Sequence, residues 1–184
     1  MKNNKVTWKD LKAVISDKAQ AEQLKLIGDL YSLNDENKTF IHARYLIGKN
    51  GLQPYKEIIS DALYPDVMWN DSIQLSVGRK AISDYYKATK DKLGQIELMV
   101  FYVETGNQFT LDIGDIDESF YSSLESMFDR ALTAIEKQPN KIQIKFLHRL
   151  SRIVVSAKDM GWGYYDYISE SLEEFNDKCS YEKK

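Results

Sequence analysis

Lys141, Lys145, His148 and Arg152 stand at i, i+4, i+7 and i+11. On a helix that spacing places four basic side chains along one line. Phe146, Leu147, Leu150, Ile153, Val154 and Ala157 fall on the other side of the same helix. Such a row of cations suits phosphate groups or an acidic partner surface. The ordinary alternative is the solvated face of an amphipathic helix.

A second group is Asp112, Asp115, Asp117 and Glu118. Clustered carboxylates hold hard cations, but this spacing lacks the alternating carboxylates, central glycine and later glutamate of a calcium loop. Turn and cap chemistry between two helices accounts for the cluster, and we expect no metal there. A third group is Gly161-Trp162-Gly163-Tyr164-Tyr165-Asp166-Tyr167. Its glycines permit unusual backbone angles. Trp162 and Tyr164 are candidate binding residues that would stack on a peptide or a base; aromatic packing of the last helix is the competing account. Arg79, Lys80 and Asp84 share a helix, at spacings that ordinarily give a surface ion pair.

Nucleophilic catalysis has little to draw on. His42 and His148 are the only histidines, and Cys179 is the only cysteine. There is no Gly-x-Ser-x-Gly, no phosphate-binding glycine loop and no Cys/His metal spacing. We therefore expect no cofactor and no catalytic residue. The lone cysteine excludes an internal disulfide framework and suits a reducing compartment.

The elements that must position these residues are helices. Residues 117–135 show the pattern most fully: Phe120, Tyr121, Leu124, Met127, Phe128, Ala131, Leu132 and Ile135 form one apolar stripe at the 3.6-residue period, behind Asp117 as N-cap. The punctuation predicts about nine helices. A Thr7/Asp10 capping box opens the first, through Val14 and Ile15. The second runs from about Lys18 to Leu33, with Leu24, Ile27, Leu30 and Tyr31 on one face. Asn34 and Asp35 open the third, and Gly48, Asn50 and Gly51 close it. Pro54 begins the fourth, through Leu63. After a loop holding Val67, Met68 and Trp69, Asn70 or Asp71 caps a fifth helix to about Leu93. Gly94 separates it from the sixth, Gln95 to about Leu111. The eighth spans Pro139 to Met160, and the ninth Tyr164 to about Cys179. Ile96 to Val103 is almost continuously apolar, and lacks any partner strand, so it reads as a central helix.

Composition bounds the rest. The 184 residues fit a single domain, residues 1–184, with enough apolar content for a sizeable core. Net charge is only −3, unlike the strongly basic profile of a dedicated nucleic-acid binder. Residues 1–93 carry 15 Lys and Arg against 12 Asp and Glu, whereas residues 94–184 carry 10 against 16. The polar start of the chain lacks the apolar core of a signal peptide, and no apolar run approaches membrane-spanning length. A soluble, cytoplasmic protein without a membrane partner is expected.

Four segments stand out together: Leu75-Ser76-Val77-Gly78-Arg79-Lys80-Ala81-Ile82, Tyr102-Val103-Glu104-Thr105-Gly106, the run from Gly114 to Tyr121, and Gly161-Trp162-Gly163. On these segments the chain, from about Lys56 to Leu172, resembles an uncharacterised family of small bacterial all-helical proteins. The resemblance implies a bacterial, intracellular protein and supplies no reaction, ligand or catalytic residue. The expected architecture is all-α. Short loops make antiparallel hairpins, stacked as an irregular superhelix or as a multi-helix bundle around the sixth helix. The leading functional expectation is a non-enzymatic module binding a protein or peptide between helices. The alternative is anion or nucleic-acid binding through Lys141, Lys145, His148 and Arg152, and an enzyme with an unrecognised site is the third class left open.

Overall fold

The computed structural model describes residues 6–45, 51–66 and 72–181. Among these residues the fold is all-α, with nine helices and no strand. They are α1 (Trp8–Ser16), α2 (Gln20–Leu33), α3 (Asp35–Tyr45), α4 (Gln53–Leu63), α5 (Leu75–Thr89), α6 (Lys92–Ile113), α7 (Glu118–Glu136), α8 (Asn140–Ser156) and α9 (Tyr164–Tyr181). The expected cap residues Gly48, Asn50, Asn70 and Asp71, and the loop residues Val67, Met68 and Trp69, lie outside the described residues, as does the side chain of Cys179.

Local chemistry sets the helix starts. Thr7 and Asp10 form the reciprocal capping box of α1. Asp117 accepts from the Phe120 amide at 2.8 Å and opens α7. The break between α5 and α6 differs from the expectation that placed it at Gly94. Lys90 takes a left-handed conformation, φ 59°, and ends α5. Asp91 then caps α6, accepting from the amides of Leu93 at 3.0 Å and Gly94 at 3.1 Å. Gly94 thus sits in the first turn of α6, where the absence of a side chain admits the Tyr85 ring and hydroxyl. The eighth helix is also shorter than expected. It begins after Pro139 and ends at Ser156, where the Ala157 amide turns back to Ile153 and Val154.

Helix α6 is the axis of the fold. It packs against α4, α5, α7 and α8, and its buried side chains occur on nearly every face, from Ile96 to Thr110. Such all-round apolarity requires neighbours on all sides. The bundle arrangement therefore holds for α4 to α9. Helix α7 turns its stripe inward: Phe120, Tyr121, Leu124, Met127, Phe128, Ala131, Leu132 and Ile135 are all buried. Helix α3 joins through α5, and α2 packs on α3. Helices α1 and α2 contribute no buried residue. No described helix is long and apolar enough to cross a membrane.

Candidate functional site

Helix α8 has two charged faces. On the outer one Lys141, Lys145, His148 and Arg152 are all exposed, as their position opposite Phe146, Leu150, Ile153 and Ala157 requires. None of the four takes part in an ion pair among the described residues. They do not share one site. His148 and Arg152 line a cleft of about 520 Å³ between α6 and α8, together with Glu104 and Gln108. Lys145 lines a separate one with Lys56, Glu97 and Phe146. Trp162 and Tyr164 line neither.

On the inner side, Arg149 is locked to α6. Its Nε donates to Glu104 Oε1 at 2.7 Å, and Nη2 and Nη1 donate to Glu104 Oε2 and Glu97 Oε2. Lys56 of α4 donates to the other oxygen of Glu97 at 2.7 Å, so one network ties α4, α6 and α8. Burial opposes ionisation of Glu97, but the hydrogen bonds from Lys56 and Arg149 outweigh it and hold its carboxyl below the ordinary value. This network is structural in form: every charge in it has an opposite charge in hydrogen-bonding contact.

The glycine-aromatic segment divides. Trp162 is exposed, with a left-handed φ of 60°. Tyr164 is fully buried beside Tyr121, with ring centroids 5.1 Å apart. Its ring is part of the core and offers no surface to a ligand. The hydroxyl of Tyr121 donates to Asp115 at 2.6 Å, and the Gly161 amide donates to the same oxygen at 3.0 Å. These bonds hold the Asp115 carboxyl below its ordinary value. A β-carbon at position 161 would lie 2.6 Å from the Asp115 carboxylate, so a larger residue there would push that side chain aside. Asp112 accepts from the Tyr64 hydroxyl at 2.7 Å and from Gln108 at 3.0 Å. With Asp117 spent on its cap, these carboxylates serve turns and helix ends.

In the Arg79, Lys80 and Asp84 group the expected ion pair forms, without Arg79. Lys80 pairs with Asp84 at 2.8 Å, and with Glu36 of α3 at 3.0 Å. Arg79 instead donates to Ser123 of α7 at 2.6 Å, and Ser123 in turn bonds the Tyr102 hydroxyl at 2.8 Å.

A groove that the sequence did not announce opens between α3, α4 and α5. It has a volume of about 620 Å³. Phe40, Tyr55, Ile58, Val77 and Ala81 line its apolar part, and Asp35, Glu36, Glu57, Asp61, Asp84 and Lys80 its polar part. Asp35 is paired with Lys38, Glu36 with Lys80, and Asp84 with Lys80 and Lys87. Glu57 and Asp61, one turn apart on α4 and both exposed, have no cationic partner among the described residues. The groove is therefore apolar within and negative along one wall. Comparison of the chain with protein-family models, curated proteins and solved structures gives no match, so the roles of these residues rest on their geometry.

Proposed function

We propose that the protein is a non-enzymatic interaction module of a bacterial cytoplasm, binding a basic amphipathic peptide segment of a protein partner in the α3–α4–α5 groove. The observation that carries this reading is the pairing, in one groove, of the half-buried Phe40 and Ile58 and the exposed Val77 with two exposed carboxylates, one turn apart, that have no cationic partner among the described residues. Burial of an apolar helix face would supply affinity, and the carboxylates would select the sign and register of the flanking charges. The resemblance to small bacterial helical proteins belongs to the same proposal and assigns no chemistry.

Calorimetric titration with amphipathic peptides tests it. A peptide with lysines flanking an apolar stripe is expected to bind in the micromolar range, about −8 kcal/mol. Its counterpart with glutamates in place of the lysines is expected not to bind, and Glu57→Lys with Asp61→Lys should abolish binding of the basic peptide. Equal binding of both peptides would overturn the reading.

A second reading has its own observation. Lys141, Lys145, His148 and Arg152 are exposed and have no ion pair among the described residues, as anion or nucleic-acid binding needs. The cleft beside them is mixed in charge, because Glu104 lines it with Arg149 and Arg152. That mixture favours the first reading.

A further inference from the structure

Helix α1 is an element without a place in the core. Trp8, Leu11 and Val14 are 68%, 47% and 60% exposed, and none of its nine residues is buried. Trp8, Leu11, Val14 and Ile15 lie on one side of the helix, with Lys12 at its Trp8 edge, Lys9 three residues away and farther round on that same edge, and Asp10, bonded to Thr7, at the opposite edge. Neither lysine has an ion-pair partner among the described residues. A nine-residue helix is too short to persist in water on propensity alone, and its stability must come from packing of its apolar face.

The complement of that face is present in the same chain. The α3–α4–α5 groove offers Phe40, Ile58 and Val77 for the apolar side. Glu57 and Asp61 stand four residues apart on α4, matching the separation of about 5–6 Å expected between Lys9 and Lys12. We infer that the occupant of this groove is α1 of a second copy of this chain, exchanged reciprocally in a two-fold dimer. Trp8 is then the anchor in the groove, and the Lys9/Lys12 pair sits against Glu57/Asp61. Each copy gives one helix and receives one, so a single contact is made twice by symmetry. A tryptophan buried in a pocket from which the surrounding contacts exclude water is a common form of energetically dominant contact. This inference rests on the groove reading above and names its partner.

Sedimentation equilibrium of the full chain, in a series reaching about 100 μM, tests it. Wild type is expected to be dimeric. Lys9→Glu with Lys12→Glu places acid against acid, and Glu57→Lys with Asp61→Lys places base against base. Each double variant alone should associate roughly a hundredfold more weakly or worse. Mixed together they should restore association as a heterodimer, because both exchanged contacts again join opposite charges. Trp8→Ala changes an exposed residue, so the monomer should melt as wild type does while dimer affinity falls. A monomeric wild type, a dimer indifferent to both reversals, or loss without rescue on mixing would each overturn the inference. Wild type that stays monomeric yet sediments with phosphatidylserine vesicles would assign α1 to a lipid surface and overturn it as well. A monomer whose groove still takes the basic test peptide would leave the groove reading standing without the self-exchange.

Discussion

Arg149 shows how much one side chain does in this fold. It bridges Glu97 and Glu104, two turns apart on α6, and those three side chains are 20%, 18% and 33% exposed. Removing the guanidinium leaves two carboxylates half-buried, one without any cation. Arg149→Ala should cost roughly 2–4 kcal/mol in urea unfolding at neutral pH, the lower part of the buried-pair range because the cluster still meets water. Acid modulates the effect with a definite sign. The folded-state value of Glu97 lies below its ordinary 4.5, so its contribution is complete above that pH and is lost as pH falls through the depressed value. The gap between wild type and Arg149→Ala should therefore narrow below about pH 4.5, because a protonated Glu97 no longer needs the cation; a constant gap would remove Arg149 from the network. The signal for this cluster is present in the sequence. Arg149 falls among the apolar positions Phe146, Leu150 and Ile153, and Glu97 and Glu104 are seven residues apart inside an apolar run. A charge on an apolar arc asks for a buried partner, and here three such charges answer one another. The four cations on the outer face are more regular in spacing and do less.

At the scale of elements, the close approach of α6 and α7 is set at Gly106. A β-carbon there would lie 2.5 Å from the Leu124 side chain, which is itself fully buried. Gly106→Val should overpack this contact and cost about 1–3 kcal/mol. Adding Leu124→Ala should relieve part of that cost, so the two changes combine to less than the sum of their separate effects; additive losses in thermal unfolding would argue against a shared contact. Helix content and most helix starts were legible from sequence because caps and apolar stripes are local signals: Thr7, Asp117 and the stripe of α7 behave as their types dictate. The α5–α6 boundary was not. Its ending residue is a lysine in a left-handed conformation, a geometry usually met by glycine or asparagine. Asp91, which caps α6, reads in sequence like any surface aspartate, while the nearby Gly94 imitates a terminator and in fact clears space for Tyr85.

Across the whole molecule, the two candidate surfaces differ in how they arise. The groove gathers residues from Asp35 to Asp84 on three helices, and no spacing rule links them; only the packing of α3 and α4 on α5 makes them neighbours. The basic stripe is the opposite case, fully legible because one helix carries it. Its exposure is as expected, but exposure alone does not distinguish a binding face from a solvated one. The distinction lies in what charge reversal does. Lys145 contacts only the Phe146 ring, at 5.7 Å, among the interactions described for its charge, and Arg152 has no ion pair among the described residues. Lys145→Glu with Arg152→Glu should accordingly shift stability by no more than about half a kcal/mol, as surface changes do. If the stripe is only a solvated face, wild type and variant should elute from heparin at the same salt. If it holds phosphates, wild-type retention should fall steeply with added salt, since each cation that displaces a counterion steepens the dependence, and the variant should lose retention at unchanged melting temperature. We expect the first outcome. Glu104 stands beside Arg149 and Arg152 in the same cleft, and a polyanion laid along the stripe would meet that carboxylate as well as the cations.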